Sequence, residues 1–134
     1  MPDVSKQTPS ILFVDDEAIN LMVEKAWFSH RYTVFTATSV DEALEVLQRE
    51  SIDAVVSDQR MPGRLGTDLF RLLAEEDFAG LRVILTAYSE DEVVQKALLD
   101  GIVDEVMDKP LQIERLVAFV EGLRVGSGKG RSDG

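Results

Sequence analysis

Five short apolar runs lie along the chain, and polar segments separate each run from the next. They fall at 11–14, 33–37, 54–58, 82–86 and, weakened by two acidic residues, 102–107. Short apolar and β-branched runs bounded by polar turns predict buried strands. The third run ends in a carboxylate, Asp58, and the following Pro62 and Gly63 predict a turn.

A stretch with helical spacing follows each predicted strand. The helices are expected at 18 to about 30, behind Ser39, at 67–76, between Ser89 and Gly101, and at 112–124. Ser39 and Ser89 each precede a glutamate by three residues, which is the capping-box pattern of a helix N-terminus. In the first helix the spacing predicts one core-facing apolar stripe, made of Ile19, Met22, Val23, Ala26 and Trp27.

Strand and helix alternate five times, which predicts an α/β domain with a parallel sheet and helices on both faces. A length of 134 residues favours one domain with a core that needs no disulfides. We expect this domain at 10–124, after a loose polar lead-in at 1–9. The Gly- and Ser-rich stretch at 125–134 is expected to be a flexible tail or the start of a linker.

The composition argues against several classes of function. The net charge is −11, from 14 basic and 25 acidic residues, so binding to nucleic acid or to an anionic membrane is not expected. The absence of cysteine excludes disulfides, thiolate metal sites and cysteine catalysis. Since the sequence has neither a long apolar run nor a signal-peptide core, we expect a cytoplasmic protein.

Four of the predicted strands end in side chains that suit phosphoryl chemistry. These are Asp15 and Asp16, then Asp58, Thr86 and Lys109. Parallel strands end at the same edge of a sheet, so these side chains are expected to meet there. Crowded carboxylates favour a hard divalent cation, above all Mg²⁺. With Lys109 as a second positive charge, such a site would bind a phosphoryl group, and one carboxylate could attack phosphorus to form an acyl phosphate.

Four motifs, in this order, resemble the receiver domain of two-component response regulators over about residues 10–124. They are Val14-Asp15-Asp16-Glu17, Ser57-Asp58-Gln59-Arg60-Met61-Pro62-Gly63, Leu85-Thr86-Ala87 and Asp108-Lys109-Pro110. The resemblance implies a doubly wound, flavodoxin-like (βα)5 fold with strand order 2-1-3-4-5. It also implies a phosphorylation-dependent switch and not an enzyme, since a receiver catalyses only its own phosphorylation and dephosphorylation.

The same resemblance implies a metal site and an acceptor. Asp58 would be the phosphoacceptor. Asp16, Asp58 and the main-chain carbonyl of Arg60 would ligate Mg²⁺, and Asp15 would act mainly through a bound water.

The resemblance further implies how the phosphoryl group is held and sensed. Lys109 would pair with its oxygens, Thr86 would swing toward it as the switch hydroxyl, and the Ala87 amide would donate to it. Receivers often carry an aromatic residue three places before this lysine, and this chain has Val106, so we expect a switch based on backbone and loop shifts. Arg60 and Tyr88 occupy positions that in the family influence the lifetime of the phosphoryl group.

The implied phosphodonor is a sensor histidine kinase or a phosphotransfer protein. His30 is the only histidine in the chain and is expected at the surface, so an internal donor is not expected. The face formed by the fourth helix, fifth strand and fifth helix would contact an output domain or a target protein, and a homodimer is a further alternative. Whether the chain is part of a longer protein or a single-domain regulator stays open.

Three other interpretations stay open beside this one. Asp15 and Asp16 could cap the first helix, with Asp58 a turn residue in a receiver-like interaction module that is not phosphorylated. A phosphatase with an aspartyl-phosphate intermediate has similar chemistry, but such enzymes carry Asp-x-Asp on the first strand. A flavodoxin-like FMN carrier would need a Ser-, Thr- or Gly-rich phosphate loop after the first strand, and none follows it here.

Overall fold

A computed structural model of the chain describes residues 8–125, of which 123–125 are described without their side chains. Residues 1–7 and 126–134, which hold most of the predicted lead-in and tail, lie outside the described residues. Five strands alternate with five helices in the order β1 (Ser10–Val14), α1 (Ala18–Phe28), β2 (Thr33–Ala37), α2 (Val40–Arg49), β3 (Ala54–Asp58), α3 (Gly66–Glu75), β4 (Leu81–Thr86), α4 (Glu92–Leu99), β5 (Glu105–Asp108) and α5 (Ile113–Val125).

The strands form one parallel sheet in the order β2-β1-β3-β4-β5. This confirms the doubly wound, flavodoxin-like (βα)5 fold and its predicted strand order. Val14 lies beside Ser57, and Asp58 beside Leu85. Thr86 pairs with Asp108 on the outer strand. The carboxyl ends of β1, β3, β4 and β5 therefore lie along one edge of the sheet.

The hydrophobic core covers both faces of the sheet. Successive side chains of a strand point to opposite faces, so an all-apolar strand such as β1 is buried on both sides. Leu12 and Val14 pack with the apolar faces of α2, α3 and α4, whereas Ile11 and Phe13 pack with those of α1 and α5. Within residues 8–125, no helix has the length and apolar character needed to cross a membrane.

The predicted inner face of α1 is wrong. The buried residues of this helix are Leu21, Glu24 and Phe28. The predicted stripe faces solvent instead, with exposed fractions of 73% for Ile19, 69% for Met22, 45% for Trp27 and 38% for Val23, and with Ala26 also exposed. Apolar residues lie on both sides of this helix, so the spacing fits two faces. The face that is buried contains a charged residue, which a search for apolar spacing passes over.

Several element ends also differ from the predictions. The Ser39 cap is present, since its hydroxyl accepts the Glu42 N–H at 3.1 Å. At α4, however, the N-cap is Asp91 and not Ser89, because the Asp91 carboxylate accepts hydrogen bonds from the amides that begin the helix.

The strand β5 begins at Glu105, later than predicted. The preceding residue, Asp104, is hydrogen-bonded through its carboxylate and its own N–H to the main chain of Arg82 at the start of β4.

Gly66 brings α3 against the end of β3. A Cβ atom at this position would lie 2.5 Å from the main-chain oxygen of Asp58 and 2.9 Å from Cδ1 of Ile84. Real Cβ atoms do not approach a backbone oxygen so closely, and Asp58 is paired with Leu85 of the neighbouring strand β4. The missing side chain therefore sets the distance between α3 and the strand end that carries Asp58.

We expect Gly66→Ala to lower the free energy of unfolding by about 2 kcal/mol or more, because α3 or the strand end must move. The matched control is Gly122→Ala in α5, where an added Cβ meets nothing within 4 Å. That substitution should raise stability by about 0.5–1 kcal/mol through helix propensity. Urea unfolding followed by circular dichroism measures both, and equal effects of the two alanines would contradict the packing argument.

Candidate functional site

Three carboxylates meet at the carboxyl edge of the sheet. Asp15 and Asp16 follow β1, and Asp58 ends β3. One carboxylate oxygen from each lies within 4.8 Å of the others. Asp15 and Asp58 are 3% and 8% exposed, whereas Asp16 is exposed. Two buried negative charges this close are unfavourable unless positive charge or hydrogen-bond donors compensate them.

Donors at the N-terminal end of α1 hold Asp15. Its Oδ1 accepts the Glu17 N–H at 2.9 Å, and its Oδ2 accepts Nδ2 of Asn20 at 3.1 Å. The N-cap of α1 is Glu17, with no hydrogen bond from its side chain. The alternative in which Asp15 and Asp16 serve as N-caps is therefore wrong. The contacts of Asp15 fix its orientation and leave it beside Asp16 and Asp58.

Lys109 supplies a positive charge to Asp58. Its Nζ lies 3.0 Å from Oδ1 of Asp58, and its own N–H donates to the Thr86 carbonyl. The peptide bond that follows, Lys109–Pro110, is cis. Burial raises the pKa of Asp58 above its usual value, and the hydrogen bond and charge of Lys109 offset only part of that rise. Burial lowers the pKa of Lys109, but its hydrogen bond to Asp58 and the nearby carboxylate charges outweigh this, so the net pKa is raised.

Thr86 ends β4 beside this pair. It is 2% exposed, and its Oγ1 accepts the Tyr88 N–H at 3.0 Å. Ala87, whose amide is a predicted donor, follows at an exposed position. Val106 lies beside Ile84 in the sheet and packs against the core cluster on that face. The hydroxyl group is thus placed at the sheet edge, but no ring from β5 packs on it at position 106.

A buried polar pair, which was not predicted from the sequence, closes the loop after Asp58. Oε1 of Gln59 accepts the Thr67 N–H at 2.9 Å, and Nε2 of Gln59 donates to Oγ1 of Thr67 at 3.2 Å. Both residues are 2% exposed or less. Buried hydrogen bonds of this kind hold a loop in one arrangement. Nothing in the local pattern of apolar residues indicates that an isolated Gln and Thr will turn inward together.

The Arg60 side chain reaches across to the loop between β4 and α4. Its Nη2 lies 3.0 Å from Oδ2 of Asp91, and its guanidinium carbon lies 4.8 Å from the centre of the Tyr88 ring. Asp91 is also the N-cap of α4. The loop that carries Asp58 is therefore joined to the first turn of α4. The main-chain carbonyl of Arg60 stays a predicted metal ligand.

Glu24 is a buried acid next to this site. It is 7% exposed and makes no hydrogen bond or ion pair with any of residues 8–122. It lines a cavity of about 370 Å³ together with Asp15, Trp27 and Lys109. Burial, and next the charge of Asp15, raise the pKa of Glu24 from 4.5 to about 7, although Lys109 acts in the opposite direction. No sequence pattern pointed to Glu24, because charged residues on helices are usually at the surface.

Comparison with known proteins assigns the chain to a family. The sheet topology and the carboxylates at its carboxyl edge place the chain among doubly wound α/β domains with a polar site at the strand ends. The sequence model of the response regulator receiver domain matches residues 11–121. The chain therefore belongs to the response regulator receiver family, and the predicted resemblance is confirmed.

Relatives in the curated set are transcriptional regulators. The DNA-binding transcriptional regulator NtrC of Escherichia coli K12 is 32% identical over 107 residues, which are 80% of this chain and 23% of that protein. The hydrogenase transcriptional regulatory protein HoxA of Cupriavidus necator is 25% identical over 117 residues, which are 87% of this chain and 24% of that protein. The chain thus spans about a quarter of the length of these relatives.

Solved structures give the same family. The signal receiver domain of an HD domain-containing protein from Pseudomonas fluorescens Pf-5 is 26% identical with a TM-score of 0.79, covering 89% of this chain and 97% of that one. The response regulator TrrA of Thermotoga maritima, in complex with Mg(2+)-BeF, is 27% identical with a TM-score of 0.72, covering 87% of this chain and 99% of that one.

Arg60 and Asp91 should be energetically coupled. A double-mutant cycle with Arg60→Gln and Asp91→Asn should give a coupling free energy of about 0.5–1 kcal/mol. The value is small because both side chains are partly exposed and because the asparagine still caps α4. The coupling should weaken in high salt. Unfolding free energies of the four proteins measure it. The same cycle with exposed Arg64→Gln in place of Arg60→Gln should give no coupling, and equal coupling in both cycles would contradict the contact.

Glu24 should make stability fall with rising pH. Its folded pKa of about 7 lies above its ordinary value of 4.5, so the unfolded chain loses this proton first and folding opposes the ionisation. The free energy of unfolding therefore falls by on the order of 3 kcal/mol between about pH 4.5 and pH 7, and it changes little further at higher pH.

Glu24→Gln should therefore gain stability relative to the unchanged protein as pH rises from about 5 to about 8. Urea unfolding at several pH values, without divalent cations, measures the difference. Glu45→Gln, at an exposed position of α2, is the control and should show no such trend. A stability difference for Glu24→Gln that is independent of pH would contradict the raised pKa.

Proposed function

We propose that this chain is a phosphorylation-dependent switch of a two-component system, in which Asp58 accepts a phosphoryl group from a phosphohistidine. The observation that carries the proposal is the pairing of a buried Asp58 carboxylate with Lys109 at 3.0 Å, beside two further aspartates at the sheet edge. Membership of the receiver family supports the same function at the level of the family.

The chemistry that we propose uses the Asp58 carboxylate as the nucleophile. A carboxylate oxygen forms a bond to phosphorus while the bond between phosphorus and the donor imidazole nitrogen breaks, and that nitrogen keeps the electron pair. Lys109, already 3.0 Å from the acceptor, would transfer its contact to the phosphoryl oxygens. It would then stabilise charge that is present at the transferring group throughout the reaction.

The donor set suits Mg²⁺. Three carboxylate oxygens within 4.8 Å of one another match the oxygen ligands that this hard cation prefers. Asp16, Asp58 and the main-chain carbonyl of Arg60 would hold it, with Asp15 acting mainly through a water. When bound, the ion supplies charge neutralisation at the phosphoryl oxygens. The related TrrA structure contains Mg(2+)-BeF, which supports this assignment.

Thr86 and Ala87 would sense the phosphoryl group. The Thr86 oxygen now accepts the Tyr88 N–H, which leaves its O–H available to donate to a phosphoryl oxygen after the hydroxyl turns. The Ala87 amide would be a second donor. Because Val106 offers no ring, we propose that the signal reaches α4 through movement of the loop between β4 and α4. Phosphorylation would then shift an existing equilibrium between two states.

The proposed partners follow from the family. A sensor histidine kinase or a phosphotransfer protein would donate the phosphoryl group. The face made by α4, β5 and α5 would contact an output domain, a target protein or a second copy of the chain. The transcriptional regulators NtrC and HoxA are about four times as long as the matched region, which supports an output domain in the same polypeptide beyond the domain limits of 10–124. Catalysis would be limited to the domain's own phosphorylation and dephosphorylation.

Incubation with acetyl phosphate and MgCl₂ should add one phosphoryl group to the chain, measured by intact mass. Asp58→Asn should abolish the adduct, because an amide is not a nucleophile here. Asp41→Asn, at an exposed position of α2, should leave it unchanged. Chelation of the metal should slow the reaction strongly.

An adduct that persists undiminished in Asp58→Asn would overturn the assignment of the acceptor. No adduct on the unchanged protein would favour the unphosphorylated interaction module instead. Steady release of phosphate from phosphate esters over many turnovers would favour the phosphatase.

A further inference from the structure

Glu24 has no role in the proposed phosphoryl transfer, yet it lies beside the site. Burying a carboxylate without a hydrogen bond or a close counter-charge is costly. Glu24 is 7% exposed and makes no hydrogen bond or ion pair with any of residues 8–122, and Lys109 acts on it only through its charge. Its neighbours on the buried face of α1 are apolar, namely Leu21 and Phe28. A buried acid without such a partner is accommodated by protonation or by a ligand that supplies the missing partner.

The space next to Glu24 is large enough for a side chain. The cavity of about 370 Å³ has Glu24 and Asp15 as its acidic part. Leu85, Leu111 and Val23 give it apolar walls, and the Trp27 ring is 45% exposed at its side. A binding site of this composition suits a ligand with an apolar stem and one charged end.

Among the described residues that line the cavity, none offers an unpaired positive charge to Glu24. Lys109 also lines the cavity, but its ammonium group pairs with Asp58 at 3.0 Å. The Asn20 amide is bonded to Asp15 and Glu17. Two acidic groups therefore face a single lysine that is already paired, so the cavity is complementary to an added cation.

We propose that this cavity binds the arginine side chain of a protein that docks on α1. A guanidinium group is planar, can donate two parallel hydrogen bonds to a carboxylate, and stacks on aromatic rings better than an ammonium group does. Glu24 is the carboxylate and Trp27 is the ring. The three-carbon stem of arginine then contacts the apolar walls.

The surface around the cavity supports a protein as the bearer of this arginine. Ile19 and Met22 are 73% and 69% exposed on the same helix, which is unusual for large apolar residues of one short segment. Val23 and Trp27 continue this surface into the cavity. The cavity also shares Asp15 and Lys109 with the acceptor site. The identity of the bearer as the phosphodonor rests on the proposed function, whereas the binding of arginine does not.

The test uses the single tryptophan of the chain as a reporter, because Trp27 lines the cavity. The unphosphorylated protein is titrated with N-acetyl-arginine amide at about pH 8, so that Glu24 is ionised, and without divalent cations, so that Asp16→Asn does not alter metal occupancy beside the cavity. We expect a saturable fluorescence change with a dissociation constant of roughly millimolar size, as suits one side chain. N-acetyl-citrulline amide has the same shape without the charge, and its dissociation constant should be at least about tenfold larger.

Three variants locate the binding. Glu24→Gln keeps the size of the residue and should weaken arginine binding about tenfold, to the level of citrulline. Asp16→Asn removes a carboxylate of the neighbouring acidic cluster but not of the cavity, and should change binding less than twofold. Glu45→Gln on α2 should have no effect. Folding of each variant is checked by circular dichroism.

Other results would overturn the proposal. Equal binding of citrulline would mean an apolar groove without charge selection, and loss of binding in Asp16→Asn but not in Glu24→Gln would place the guanidinium in the acidic cluster. Free guanidinium that binds as tightly as the arginine derivative would indicate a small-cation site. A fluorescence change that depends on protein concentration alone would indicate a second copy of the chain. None of these readings uses phosphorylation, so they stand apart from the test of Asp58.

Discussion

The contact between Asp58 and Lys109 is the interaction on which the site depends. The parallel sheet brings three carboxylates to within 4.8 Å, and their mutual repulsion would disfavour this arrangement without compensation. Lys109 at 3.0 Å compensates Asp58, and the Glu17 N–H and the Asn20 amide at the N-terminal end of α1 compensate Asp15. Asp16 is left exposed to solvent. The cluster is therefore stable enough to exist and still negative enough to favour a divalent cation.

The surrounding structure keeps these groups in place. Asp58 leaves the sheet into a loop that the buried pair of Gln59 and Thr67 closes, and the missing Cβ of Gly66 lets α3 pack directly against it. The Lys109 N–H is tied to the main chain of Thr86, so the lysine and the hydroxyl are fixed by the same pairing of neighbouring strands. A receiver site thus consists of a few charged groups on a scaffold that restricts their movement, as preorganised sites require.

Most of this arrangement could be predicted from the sequence because it follows from strand ends. Asp15, Asp58 and Thr86 each follow an apolar run, and parallel topology brings such ends together without any knowledge of side-chain packing. The face of α1 could not be predicted, because its apolar residues fit two orientations and tertiary packing decides between them. Gln59 with Thr67 was missed for a related reason. A buried polar pair depends on the partner across the loop, and local spacing carries no information about that partner.

The Arg60 side chain joins the acceptor loop to the first turn of α4. Its contacts are the carboxylate that caps α4 and the ring of Tyr88, two residues after Thr86. The pair is partly exposed, with side-chain exposures of 61% and 24%, so it contributes no more than about 1 kcal/mol. A contact of that size changes a two-state equilibrium by about fivefold, whereas a nearly complete switch requires about 10⁴-fold. Under the proposed function, most of the free energy for switching would therefore come from the contacts of the phosphoryl group with Lys109, Thr86 and the Ala87 amide. Arg60 would then bias the starting equilibrium between the two states by no more than about fivefold.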